Sequence, residues 1–462
     1  MMERQGCINE QEMALARQCI GIGKRFGADD MRVSLSKSTL DSLTVLNGEI
    51  DKVTRCSDRS LFFYIYAGGK YGTYSTNRLE LGDLTDFLCK AVENVGLLSE
   101  DRCRRLPSAE RMAKDAKEGT EAGLYDPAWH RITPEQKMEY ALRGSIFDTV
   151  SKEEHEGWKL ISEECEYSDS VEDNFVVDSQ GFEGRHTETS QSFWTEVTIS
   201  DAEGRKYSGY SWESSPMMKD DIYSGRGLKA IEKAVKQINP KRRRSGRYMM
   251  VVDNNCSSRL IGPVINALNA GSVQQQNSFL KDCLGKKVFS DNFTLRDLAR
   301  ETGMPGCRFF DTEGVATENR DVILEGEVKM FFTSTYLAEK TGWEPNIEGI
   351  SRPVMDAFIQ TEGNKITEGT IDQDRILRTF RNGIYVTGFN GGNCNSTTGD
   401  FSYGVEGFAF KDGKITHPVK EMVITGNMIT LWKALKAAGN DARDGARWRI
   451  PTLAFEGVDF SA

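Results

Sequence analysis

The sequence predicts an α+β fold: an N-terminal α/β unit, a central mixed unit and a larger β-rich C-terminal domain. Three observations carry that expectation. Helical and strand periodicities follow one another irregularly, without the steady βαβ repeat of a parallel α/β protein. At 462 residues the chain is too long for one hydrophobic core. No self-similarity appears at solenoid periods. We expect domains at residues 1–115, 116–240 and 241–462.

In the first unit, Met13, Ala16, Cys19, Ile20 and Phe26 recur at mostly helical spacing over 10–26, with Gly27 as C-terminal cap. Short alternating runs follow at Met31, Val33 and Leu35, then at Leu43 and Val45. Asn47-Gly48 is a hairpin turn signal, and Gly68-Gly69 separates two further apolar stretches in the same way. A helix is expected to open at Asp83, with Leu84, Phe87, Leu88, Ala91, Val92 and Val95 as its stripe and Gly96 closing it. Residues 99–127 lose all periodicity and read as a linker.

The second unit begins at Thr133, a cap followed by Pro134 at the first helical position and Gln136 to complete a capping box. Strands are expected over 158–212, with turns at Asp178–Gly181 and Ala202–Gly204, then a helix over 224–238 that ends before Pro240. In the third unit, Tyr248–Val252 reads as a short buried strand and 257–270 as an apolar helix. Later strands are expected at 306–335, 383–389 and 402–425, before a final helix capped by Asn427 and carrying Leu431, Trp432 and Leu435.

Composition narrows the function classes. Hydrophobic residues at 38%, charged residues at 28% and 44 glycines describe a soluble globular protein. No apolar run approaches the roughly 18 residues that span a bilayer, and the N-terminus has no signal-like apolar segment, so a cytoplasmic location without membrane contact is expected. Ten scattered cysteines, none in a Cys-x-x-Cys pair, read as reduced thiols. A net charge of −10 argues against nucleic-acid binding, and the basic run Lys241–Arg244 reads as a solvated linker face.

A hydrolytic zinc site needs about three protein ligands, typically with two histidines one helical turn apart. The four histidines, His130, His155, His186 and His417, come no closer than 25 residues in sequence. The 69 acidic residues leave a carboxylate-built metal site open, with no spacing that singles one out. Gly209–Glu213 lacks the second glycine of a nucleophile elbow, and no phosphate-cradling glycine loop occurs. The cysteines read as core residues.

The most informative stretch is Gly388–Gly404, which carries five glycines and the turn sequence Thr-Gly-Asp-Phe-Ser between two apolar runs. Ordering so much glycine is costly, so the path of this loop matters through close approach, tight turning or ligand contact. Its wording resembles the C-terminal domain of the TldD/PmbA family, the "modulator of DNA gyrase" proteins. Asn277–Val288, Asp311–Asp321 with Ser334–Ala338, and Gly413–Val419 with Val423–Met428 carry the same likeness. Asp178–Gly181 and Tyr207–Tyr210 extend it across nearly the whole chain.

That family pairs a zinc-peptidase subunit with a related subunit lacking the zinc helix. Counting back from Ser278, Ile261, Gly262 and Asn266 stand where the catalytic subunit's His-Glu-x-x-x-His motif would place its two histidines and glutamate. None serves those roles, and a lone thiolate at Cys394 would not hold zinc. The loop wording resembles the PmbA (TldE) type. The resemblance therefore implies a non-catalytic subunit of a cytoplasmic metallopeptidase acting on flexible peptides, with zinc in a TldD-type partner and none bound by this chain. The C-terminal unit would wall a chamber that holds an extended peptide by strand addition, with Asn395, Thr398, Gly399, Asp400 and Ser402 as expected substrate contacts. A hydrolase with a non-histidine metal or cysteine site, and a stand-alone peptide-binding homodimer, are the alternatives.

Overall fold

Asn9 opens the first helix, α1 (Glu10–Arg25): its side chain accepts from the Glu12 amide while Glu12 reaches back to the Asn9 N–H, both at 2.9 Å. Gly27, at φ +104°, ends it where a side chain would be strained. The computed structural model describes residues 6–462. Two compact units form, one from residues up to 235 with 300–317 and 333–348, the other from 236–299, 318–332 and 349–462.

The first unit is built on a six-stranded antiparallel sheet of β1 (Asp30–Leu46), β2 (Glu49–Ala67), β3 (Lys70–Thr76), β4 (Trp158–Asp178), β5 (Glu183–Asp201) and β6 (Lys206–Ser215), in the order β3-β2-β1-β4-β5-β6. The segments expected to make separate N-terminal and central units thus share one sheet. The two short runs expected at 31–35 and 43–45 are one strand of 17 residues. Its middle, Ser36 to Ser42, has Leu40 as its one apolar residue and gives no alternating apolar pattern, but β2 and β4 pair with it from both sides. Tertiary pairing there outweighs local pattern.

Helices cover one face of this sheet. α1 and α2 (Leu81–Gly96) bury Met13, Cys19, Leu84 and Leu88 against Val33, Phe63, Ile65 and Phe175. α2 opens one residue after Glu80 rather than at Asp83, which sits in the first turn, where its charge suits the helix dipole. α3 (Pro134–Gly144), with the expected Thr133–Gln136 capping box, seals the other end with Tyr140 and Ala141 on Leu43, Tyr167 and Phe193. A one-turn α4 (Phe147–Val150) follows, and α5 (Arg226–Lys236) matches the helix expected over 224–238.

Residues 99–127 are not a solvated linker. Ala113, Ala116, Ala122 and Leu124 are buried, and β5 donates from Arg185, Thr187 and Thr189 to the carbonyls of Ala116, Gly119 and Leu124 at 2.7–2.9 Å. β6 pairs only with Gln191–Ser200, so the first half of β5 has an edge for this segment to satisfy.

In the second unit, β7 (Gly246–Val252) leads to α6 (Ser258–Ala267) and α7 (Ala270–Gln274). A small sheet follows, β10-β9-β8-β11, from β8 (Leu295–Leu298), β9 (Asn319–Leu324), β10 (Glu327–Val328) and β11 (Pro353–Met355). The strand expected over 306–335 is therefore only partly realised. Asp311 accepts from the Glu313 and Val315 N–H groups at 2.9 and 3.0 Å, a side-chain turn that competes with ladder pairing. At its end Ser334 caps α8 (Thr335–Thr341) in the first unit.

β12 (Phe358–Thr361), β13 (Asn364–Ile366), α9 (Gln373–Phe380), β14 (Gly383–Cys394), β15 (Asp400–Lys411), β16 (Lys414–Asn427), α10 (Met428–Lys433), β17 (Leu435–Ala438) and β18 (Leu453–Ser461) complete the chain. The strand expected at 402–425 is a hairpin of β15 and β16. The Asn427 cap forms, but the final helix stops at Lys433 and Leu435 starts a strand. β7 bonds to both β14 and β18, so β7, β14, β15, β16 and β18 close into a ring. Both expected element types are present throughout, and the fold is α+β.

Candidate functional site

α6 carries an apolar face, Leu260, Ile261, Val264 and Ile265, that is buried in the core of the second unit. The opposite face is left for a cleft of about 410 Å³, to which Ser258, Arg259, Gly262, Pro263, Asn266 and Ala267 contribute. That is one helical face, at spacings of three, four and seven residues. Of the three positions expected to replace a zinc motif, Gly262 and Asn266 line the cleft and Ile261 points into the core. A triplet with the same spacing that starts one residue later, Gly262, Pro263 and Ala267, lies wholly on the cleft. Neither register offers a metal ligand beyond the Asn266 amide.

The facing wall comes from the glycine-rich end of β14. Asn390 to Asn393 forms an irregularity in the β14–β15 ladder, with Gly391 and Gly392 at positive φ. A Cβ on Gly392 would run into the Ser402 carbonyl oxygen, so glycine is required there by close backbone approach. The irregularity turns Gly392, Asn393 and Cys394 towards the cleft, with Ser396, Tyr403, Asn277 and Phe279 around them.

The expected substrate contacts lie in and beside the turn that joins β14 to β15. Asn395 accepts from the Thr397 and Thr398 amides at 2.9 and 3.3 Å, and the Thr398 hydroxyl donates to Asp400 at 2.8 Å. Asn427 donates to the Thr398 carbonyl and to Asp400, and these two side chains hold the Asp400 carboxyl below its usual range. Gly399, at φ +79°, lies where a Cβ would press on the Phe279 ring at 3.0 Å. Ser402 is exposed on β15, opposite Thr425. These five build the turn that presents the cleft wall and are not among the residues lining it.

Charge is sparse in the cleft. Arg259 is the single formally charged side chain lining it, donating to the Gly392 carbonyl at 3.3 Å and standing 5.2 Å from the Tyr403 ring centroid. Burial, and then Asp400, push the Cys394 thiol up, so it stays protonated at neutral pH. Tyr403 is also raised, chiefly by burial. Without a carboxylate or an imidazole, this lining offers no general base and no ligand set for zinc. Zinc therefore does not fit these residues. Among the described residues no cluster of three or more His, Cys, Asp or Glu is arranged to hold a metal ion. Three histidines lie in the first unit and His417 in the second.

Comparison with known proteins places this geometry. The model of the PmbA/TldA metallopeptidase C-terminal domain matches residues 245–462, the central domain of that family matches 127–238, and its domain 1 matches 32–95. A solved structure from Bacteroides thetaiotaomicron, of a protein named for DNA-gyrase modulation, is 38% identical with a TM-score of 0.90, covering 98% of this chain and 100% of that one. The chain belongs to the PmbA/TldD family. Metalloprotease PmbA of Escherichia coli O157:H7 is 25% identical over 442 residues, 95% of this chain and 93% of that protein. TldE of Thermococcus kodakarensis shares the fold, with a TM-score of 0.81 at 17% identity over 97% of this chain and 100% of that one.

The family assignment thus agrees with the wording of the glycine-rich loop. Sequence reasoning did not single out Arg259, Asn277 or Tyr403 as cleft residues. The one available signal was that Arg259, Gly262, Pro263 and Asn266 share a helical face whose side chains are not apolar in the way a buried face would be. Among the described residues no helix is long and apolar enough to cross a membrane.

Proposed function

We propose that this chain is the zinc-less subunit of a TldD/TldE-type metallopeptidase that processes or degrades flexible peptides in the cytoplasm. Relatives across its whole length are named metalloproteases, which supports a peptidase-related role. One observation carries the finer reading. The cleft beside α6 is lined by Arg259 and neutral groups, and Gly262 and Asn266, two of the three positions that the family resemblance gives to the zinc motif, are among them. A hydrolytic cation belongs to a TldD-type partner, and this chain contributes a wall.

That wall suits an extended peptide. Asn266 and Asn393 present amides and Ser258 and Ser272 present hydroxyls, groups that bond backbone N–H and C=O without selecting side chains, while Ser396 donates to Asn277 Oδ1 at 2.6 Å. Arg259 supplies a single cation for a peptide carboxylate.

The test is coexpression with a His-Glu-x-x-x-His subunit, followed by sizing and a peptide-cleavage assay. The chain alone, loaded with zinc, should cleave nothing, and the mixed complex should cleave unstructured peptides. Stoichiometric zinc on the isolated chain, or cleavage by it, overturns the proposal. So does a stable homodimer that ignores the partner.

A further inference from the structure

The first unit holds a second, larger cleft, of about 770 Å³, that the proposed function does not use. It lies against one face of the β1–β2 hairpin. On β2 the lining residues Val53, Arg55, Ser57 and Arg59 alternate along the strand, and on β1 their register partners Leu43, Asp41, Thr39 and Lys37 share that face. The opposite wall includes Trp129 and Met138.

The strand beside this cleft is an open edge. Among the described residues β3 pairs with β2 only over Leu61–Ala67, and Glu49–Ser60 has β1 as its single neighbour in the sheet. Half of its N–H and C=O groups therefore point away from the sheet. Natural proteins shorten or cover such edges, because they are templates for another strand. Here twelve residues without proline have no second strand beside them among the described residues, next to a concave surface.

The cleft's electrostatics indicate what would fit. Arg55 and Arg59 are 62% and 51% exposed, while their carboxylate partners Asp41 and Glu12 are each only 11% exposed. An incoming chain meets the guanidinium groups first. Further along the strand it meets Val53, 63% exposed.

We propose that β2 residues 49–60 accept an extended polypeptide segment as an additional strand, with alternate side chains of that segment entering the cleft. Opposite Arg59, Ser57, Arg55 and Val53, the segment would read acidic, any, acidic, apolar at every second residue. Backbone bonds hold it, and the two carboxylates set its register. The occupant is an extended segment of a partner protein with this pattern, and the inference does not depend on the peptidase reading of the other cleft.

The test uses the full chain and a fluorescent peptide, Glu-Thr-Ser-Thr-Glu-Thr-Val, with two controls: lysine in place of both glutamates, and N-methylation of alternate amides. We expect saturable binding of the first peptide, slowed hydrogen exchange confined to residues 49–60, and loss of binding on N-methylation. Arg55→Glu and Arg59→Glu, each checked for a parent-like urea midpoint and accompanied by Arg55→Gln and Arg59→Gln, should each weaken binding about fivefold or more, and the double glutamate variant should prefer the lysine peptide. Absence of binding at millimolar peptide, binding indifferent to N-methylation, or protection mapping outside 49–60 overturns the proposal. Protection of 49–60 in the chain without peptide, accompanied by dimerisation, also overturns it, because the edge then belongs to a second copy.

Discussion

The cleft of the second unit and the interior of the first treat charge in opposite ways. In the second, the cleft beside α6 carries one cation and a protonated thiol. The first keeps charge in its interior: Lys137, with a side chain 7% exposed, donates to Asp41 and Asp169 at 2.5 and 2.8 Å, and Arg185 meets the fully buried Asp173 at 2.6 Å. Trp129 adds a bond to Asp169 at 2.6 Å. Charge that is buried and fully paired fixes a register between elements, here α3 against β1 and β4. A cleft lined by amides and a single cation does no such structural work and is free to meet a ligand. Charge density alone is thus a poor guide to which surface is functional.

The strongest way to break this comparison is at Lys137. Lys137→Met leaves the Asp169 carboxylate buried without its cation and should lower stability by about 3–5 kcal/mol, read by urea denaturation. A loss below about 1 kcal/mol would show that the buried network is not structural. The second cleft's framework rests on backbone rather than charge, so Gly392→Ala, at φ +73° against the Ser402 carbonyl, should cost about 1–3 kcal/mol. A neutral outcome there would mean that the Gly392 wall is adaptable.

A third prediction concerns pH. In the first unit burial, and then the neighbouring Glu313 and Asp311, push Glu348 up to about 7, and burial with Glu313 pushes Asp311 up to about 6. The folded state binds these protons more tightly than the unfolded chain does. Their favourable contribution is complete below about pH 4 and is lost as pH rises through 6 and 7. Glu348→Gln should therefore gain stability relative to the parent as pH rises, by about 1–2 kcal/mol at pH 8 after discounting for partial exposure. A constant difference from pH 4 to 8 would remove the carboxylate cluster from the comparison. The smallest effect is expected at Cys394→Ser, where a neutral thiol gives way to a hydroxyl: stability within about 0.5 kcal/mol and unchanged metal content.

Local signals were legible where neighbouring residues decide the outcome. Thr133 and Gln136 closed their capping box, Asn427 capped its helix, and Asn47-Gly48 made its hairpin turn, because capping and turn bonds form within a few residues. The reading failed where partners are distant. Residues 99–127 looked like a linker because their bonds go to β5, and β1 looked like two short runs because its middle is completed by two other strands. The cleft was half legible. Gly262 and Asn266 were singled out as positions of the family's zinc motif rather than as cleft residues, while the self-bonded turn at Asn395–Asp400 depended on Asn427 and Phe279 arriving from elsewhere.

By itself, then, the sequence determined the family, the α+β class and the absence of histidines within a helical turn of one another, since these follow from residue identity and short-range periodicity. Which face of α6 opens to a cleft, which glycines a backbone contact requires, and which stretch of β2 stays unpaired were decided only by the tertiary structure. Those properties depend on groups far apart in the chain, and no local pattern encodes what will be packed against what.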